Sequence, residues 1–153
     1  MPDITHLERR EIQAPLAACL IRAYSAELGS EKAIEIASVA LKVDAEAAGV
    51  KAAESSGGNG IRELAHYIRE VWTKDDALTI NVLEYSECRL RFDVTRCRYA
   101  ELYDKLGVKE FGFCLSCGRD EPFARGFNPR IRMERTHTIM EGDRVCKFLF
   151  EME

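Results

Sequence analysis

Residues able to do chemistry crowd between Asp93 and Lys147. Asp93-Val94-Thr95-Arg96-Cys97-Arg98-Tyr99-Ala100-Glu101 comes first, then Leu115-Ser116-Cys117-Gly118-Arg119-Asp120, then Arg135-Thr136-His137-Thr138 leading to Cys146. A reduced cysteine is ordinarily a small buried apolar residue, but beside a fixed cation or at a helix N-terminus it ionises and becomes a nucleophile. If Thr95 caps a helix, Cys97 falls in the first turn between Arg96 and Arg98, where helix dipole and cations both favour the thiolate. The competing reading is a buried cysteine at a strand-helix junction with its arginines turned to solvent. Glu101, one turn beyond Cys97, is placed either to exchange protons with a bound group or to pair with Arg98 or Lys105 at the surface.

Cys117 is the second candidate nucleophile, with Asp120 three residues on as a general base or as a helix cap. Cys114 and Cys117 make a Cys-x-x-Cys pair, but a redox pair of the thioredoxin kind needs a βαβ setting, and a zinc site needs two further ligands at matching spacing. Neither is present, so no metal and no cofactor is expected, although a convergence of Cys88, Cys97, Cys117 and Cys146 stays open. Asn81, Asp93, Thr136 and Thr138 are polar positions on strands whose other face is apolar, and they line either a substrate pocket or a solvated sheet face. Arg135 has the planar fork that grips a carboxylate, and a cross-strand pair with Asp143 or Glu141 is the alternative. His137, His6 and His66 attract no chemical role.

These residues need elements to hold them. A chain of 153 residues is long enough for one domain with its own core. We take residues 1–74 as a helical subregion and 77–153 as an α+β core. Formal charge is −4, with acids and bases interspersed, so nucleic acid is an unpromising partner. No apolar run approaches the roughly 20 residues of a membrane span, and the start lacks the pattern of a secretory signal. A cytoplasmic location with free thiols is expected.

Thr5-His6-Leu7-Glu8 has the form of a capping box, and Ile12, Leu16, Cys19, Leu20 and Ala23 recur at helical spacing up to Gly29. Pro15 should kink this helix or start another. Ser30 is placed to cap a second helix with Ile34, Ala37, Leu41, Ala45 and Ala48 inward, and Ile61, Leu64, Ala65, Ile68 and Trp72 mark a third. The period then becomes two. Residues 78–83 and 88–94 form one hairpin, 131–139 and 145–151 another, and between them lie helices from Thr95 to Gly107, from Lys109 to about Cys117 and from Asp120 to Asn128. The fold class is α+β, with a four-stranded antiparallel sheet built from two hairpins, inter-hairpin helices on one face and the N-terminal helices packed around it.

Asp93 through Glu101, Leu115-Ser116-Cys117 with Asp120, Gly126-Phe127-Asn128-Pro129, and Arg135-Thr136 through Glu141-Gly142 to Cys146 and Phe148 resemble, in order, the motifs of the L-2-amino-thiazoline-4-carboxylic acid hydrolase family. The resemblance covers residues 77–153. It implies a cytosolic bacterial hydrolase that opens a small cyclic amidine or thiazoline ring at its amidine-like carbon, by attack of a thiol or of water assisted by a carboxylate. Within that resemblance Cys117 is the recurring thiol, Cys114 a departure, and Asp120 a residue able to hold a protonated ring nitrogen. Cys97, Cys117, Asp120 and Glu101 are then the candidate catalytic residues, and Asn81, Asp93, Arg135, Thr136 and Thr138 the candidate substrate contacts. The partner is a small molecule, and a homo-oligomer is open. The hairpin-helix-hairpin order ending in Gly142-Asp143-Arg144-Val145-Cys146-Lys147-Phe148 also resembles 4-vinyl-reductase-like domains, which implies a non-catalytic ligand-binding or sensing module instead.

Overall fold

The computed structural model describes residues 3–153. It begins with α1 (His6–Leu28), whose capping box is closed: Glu8 N donates to Thr5 Oγ1 at 3.1 Å, and Thr5 N to Glu8 Oε2 at 2.7 Å. No second helix starts at Pro15: α1 runs through it as one helix. Pro15 is on the exposed face, where water can satisfy the carbonyl that loses its partner. The inward face also differs from the one expected. Arg10, Ala14, Ala18 and Ile21 are buried, while Ile12 and Leu16 are 67% and 65% exposed and Leu20 also points outward. Apart from Ile21, these large apolar residues therefore lie on the side opposite the core, and Ala14 and Ala18 let α1 pack closely.

Gly29, at φ 85°, separates α1 from α2 (Ser30–Ser56) and is the N-cap position that had been expected at Ser30. Helix α2 buries Ala33, Ala45, Gly49 and Ala52 and ends at Gly57 in the left-handed conformation. Its main partner is α6 (Asp120–Phe127), and the two backbones meet at a reciprocal pair of glycines. A Cβ on Gly49 would come within 2.1 Å of Phe123 O, and one on Gly126 within 2.0 Å of Glu46 O. No side chain fits at either position. Helix α3 (Ile61–Tyr67) continues into a π-helical turn, Ile68–Trp72, and sends Ile61, Leu64, Ile68 and Trp72 into the core as the apolar period requires.

The second half forms the sheet in the order β1-β2-β4-β3, every neighbouring pair antiparallel: β1 (Leu78–Tyr85), β2 (Arg89–Cys97), β3 (Ile131–Arg135) and β4 (Cys146–Met152). The α+β class and its four-stranded antiparallel sheet are as expected. Leu90, Phe92 and Val94 of β2 alternate inward with Phe148 and Phe150 of β4, and Phe92 stacks on Phe148 at 4.9 Å between ring centroids. Helices α3 and α6 cover this face.

Three boundaries move. Thr95 stays on the strand, and α4 (Arg98–Lys105) starts only after Cys97, which is its N-cap. The expected long strand to Ile139 ends at Arg135, because Thr138 instead caps a 3-10 turn (Ile139–Glu141), accepting from Glu141 N at 3.3 Å. Between α4 and α6 the expected helix to Cys117 is broken at Ser116 into α5 (Gly112–Leu115) and short 3-10 turns. Among the described residues no helix is long and apolar enough to cross a membrane.

Candidate functional site

A cavity of about 480 Å³ opens between the N-terminal helices and the inner side of the sheet. Helix α1 contributes His6, Arg10 and Gln13, the π-turn Trp72, and the β2–α4 junction Cys97 and Tyr99. The start of α6 and the turn before it add Cys117 and Asp120, while the β3–β4 half of the sheet adds Arg135, Thr138, Cys146 and Phe148. Cys97, Cys117, Asp120, Arg135 and Thr138 thus meet at one place.

Asp120 is the first residue of α6 and makes no cap. Its carboxylate turns into the cavity and accepts from Arg135 Nη1 at 2.5 Å on Oδ2, and among the described residues no donor reaches Oδ1. Burial raises its pKa from the usual carboxylate range to about 6, although Arg135 and Arg10 favour the ionised form. Arg135 is fixed in turn. Its Nη2 donates to Cys117 O at 3.0 Å, and its guanidinium lies over the rings of Phe113 and Phe148, 5.5 and 5.3 Å from their centroids. Neither Asp143 nor Glu141 is its partner.

The thiols lie in an environment unlike the one the flanking arginines suggested. Burial pushes Cys97 up to about 11, outweighing the amides of Ala100 and Tyr99, which favour the thiolate. Arg96 faces outward, its Nε 3.0 Å from Glu101 Oε1, and Arg98 donates to Asp75 O at 2.8 Å. Cys117 is raised further, by burial and then by the charge of Asp120. Cys146 is raised by burial and accepts from Ile139 N at 3.2 Å. At neutral pH all three carry their protons. Cys88 is exposed at the β1–β2 turn, away from the others, and among the described residues no three metal-binding side chains gather.

The other candidates lie elsewhere. Glu101 is at the surface in its pair with Arg96, which lowers its pKa. Asn81 and Asp93 are cross-strand partners on the outer face of the sheet, and Asp93 is also opposite Lys147. Thr136 is exposed, with its hydroxyl 2.8 Å from His137 Nδ1. Thr138 is buried against the cavity but engaged in its turn, donating to Glu141 Oε1 at 2.7 Å.

Sequence reasoning passed over His6, Arg10 and Gln13. Arg10 is buried, with Nη1 donating to Gln13 Oε1 at 2.8 Å and Nη2 lying 3.3 Å from His6 Nε2. Burial and the nearby cations Arg10, Arg119 and Arg9 lower His6 to a pKa of about 3, so it is neutral and serves as acceptor. The available signal was the series Arg10, Ala14, Ala18 and Ile21, a helix face of small residues with one cation in it.

A family model described as L-2-amino-thiazoline-4-carboxylic acid hydrolase matches residues 9–150, which includes the helical half as well as the sheet. No curated protein matches the chain. Among solved structures, the chain is similar to a trafficking protein particle complex subunit 3 from Naegleria fowleri covalently bound to palmitic acid, at 14% identity and a TM-score of 0.56 over 95% of each chain. It is also similar to the phenol-responsive sensory domain of the transcription activator PoxR with phenol, at 13% identity and a TM-score of 0.55 over 93% of this chain and 73% of that one. At these identities the likeness is one of fold.

Proposed function

The chain belongs to the L-2-amino-thiazoline-4-carboxylic acid hydrolase family, and on that premise we propose that it hydrolyses a small cyclic amidine or thiazoline of the 2-amino-thiazoline-4-carboxylate kind, with Asp120 activating the attacking water. The observation that carries this is the placing of Asp120. It is a carboxylate inside the cavity, locked by Arg135 through one oxygen, with the other unengaged and a pKa of about 6. A general base works best when its pKa is close to the working pH, so that it is ionised yet still basic.

Water held against Oδ1 loses a proton to Asp120 as its oxygen bonds to the amidine carbon. That carbon becomes tetrahedral and the first proton of water passes to the ring nitrogen; the hydroxyl then gives up the second proton as it becomes the carbonyl, one ring bond to the carbon breaks, and that proton goes to the departing ring heteroatom. The same carboxylate stabilises a protonated amidine before attack. Trp72 and Phe148 form apolar walls that limit solvent around the reacting carbon. The thiols suit direct attack less well, because each is held protonated at neutral pH and the thiolate is the attacking form.

The direct test offers a panel of cyclic amidines and thiazolines to the native chain and to Asp120→Asn, Cys97→Ala and Cys117→Ala. Turnover lost in Asp120→Asn and kept in both cysteine variants supports the water mechanism. Turnover lost in one cysteine variant alone would transfer the role to that thiol.

A second reading is a non-catalytic module for a small ligand. It is favoured by the shared fold with a sensory domain solved with phenol and a subunit bound to palmitic acid, together with the aromatic wall of this cavity. Binding of such ligands without turnover of any amidine would select it.

A further inference from the structure

The cavity contains more positive charge than it balances. Arg135 is paired with Asp120, and Arg119 with Asp44 at 2.7 Å. Arg9, Arg10 and Lys51 line the same cavity, and among the described residues none of these three forms an ion pair. Arg9 and Lys51 are exposed to water, which screens them. Arg10 is 8% exposed.

Its two hydrogen-bond partners make the imbalance sharper. Gln13 is an amide, and His6 is uncharged in the company of Arg9, Arg10 and Arg119. Neutral acceptors orient a guanidinium without cancelling its charge, and they engage two of its five N–H groups. The anion that acts on Arg10, Asp120, does so without contact and is already paired with Arg135, so the buried cation stays under-compensated and an anionic ligand would offset that.

We infer that Arg10 is the specificity residue for a carboxylate on the ligand, that His6 and Gln13 position it, and that the cavity therefore selects small acids over their neutral analogues. The inference takes the ring chemistry of the ligand from the proposed hydrolase reading, with the amidine at Asp120 and the acid group at Arg10. The carboxylate receives N–H bonds from the part of the guanidinium fork that His6 and Gln13 leave free. No covalent step is involved.

The test measures binding of thiazolidine-4-carboxylate, a saturated ring acid without an amidine to hydrolyse, and of its carboxamide by titration calorimetry. The native chain is expected to prefer the acid by roughly tenfold to a hundredfold, the range for a hydrogen bond to a charged group. Arg10→Met should erase that preference, Arg10→Lys keep part of it, and Gln13→Leu, which leaves the guanidinium but removes its guide, reduce it. With an amidine substrate, at a pH high enough that Asp120 is ionised with or without Arg10, Arg10→Met should raise KM by a similar factor and leave kcat within about threefold, the signature of binding lost equally in ground and transition states.

Equal binding of acid and carboxamide by the native chain would overturn the inference, as would a preference that survives in both Arg10→Met and Gln13→Leu. A native chain that prefers the acid but hydrolyses no amidine sinks the hydrolase reading and leaves Arg10 in its role. One that hydrolyses 2-amino-thiazoline with and without the carboxylate at equal kcat/KM does the reverse.

Discussion

Arg135 and Arg10 project into one cavity from opposite halves of the chain, and their surroundings differ in kind. Arg135 faces a carboxylate, a carbonyl and two aromatic rings, so its charge is matched and its plane is held. Arg10 touches an amide and a neutral imidazole, so its direction is set while its charge is met only without contact, by an Asp120 already paired with Arg135. Burial alone does not separate a cation that supports the frame from one kept for a ligand. The chemistry of the acceptors does.

The contrast is sharpest at Asp120. Asp120→Asn keeps an acceptor for Arg135 but removes the base, and kcat should fall by about 10² to 10⁴. In the native chain kcat/KM should rise as pH increases through about 6, because protonated Asp120 cannot take a proton from water, and then level off. A profile that instead keeps climbing toward about 11 would implicate Cys97.

Next in size is Arg135→Met. Leaving Asp120, whose side chain is 22% exposed, without its partner should lower stability by about 2–3 kcal/mol in urea unfolding, a loss that Arg10→Met, which strands no carboxylate, should not share. Equal losses in the two variants would erase the distinction between the arginines. Cys97→Ala and Cys117→Ala should cost about 1 kcal/mol each for the small voids they leave, with kcat within about tenfold of native. A drop as deep as that of Asp120→Asn would place a thiol at the centre of the reaction. Smallest of all, Glu101→Gln should change stability by less than about 0.5 kcal/mol and activity not at all, since its ion pair is solvated.

Much of this arrangement was visible in the sequence, and the failures share a cause. Period-two alternation located the hairpins. On α2 the expected stripe of Ile34, Ala37, Leu41, Ala45 and Ala48 does turn inward, but Ile36, Val39, Val43 and Val50 are exposed, whereas on α3 burial follows hydrophobicity. On α1 it does not. Ile12, Leu16 and Leu20 produce the stronger periodic signal, yet alanines pack inward beside Arg10, and only tertiary contact reveals which face is covered.

At the site, the motif around Cys117 and Asp120 and the fork of Arg135 were identified, but their pairing was not, since it joins α6 to the end of β3. The thiolate expected at Cys97 depended on a cap at Thr95. Strand pairing carries β2 two residues further, and Arg96 and Arg98 turn away from the sulphur. Asn81, Asp93 and Thr136 occupy polar positions of the kind a pocket needs, but strand parity sends Asn81 and Asp93 to the solvated face, and the early end of β3 leaves Thr136 at the surface.

The bare contact of Gly49 with the backbone of Phe123 and of Gly126 with that of Glu46 acts as a caliper. Main chain rests directly on main chain there, with no flexible side chain to compress or extend. Helix α6 begins with Asp120, and α2 is joined to the helix of Arg10 by the single residue Gly29. On the side of the base, the span to the anchor is thus gauged by peptide backbone, and on the side of Arg10 by the alanines of α1. A molecule longer by a bond or two must be accommodated by trimming the side chains of the wall, since the helices themselves have no slack to give.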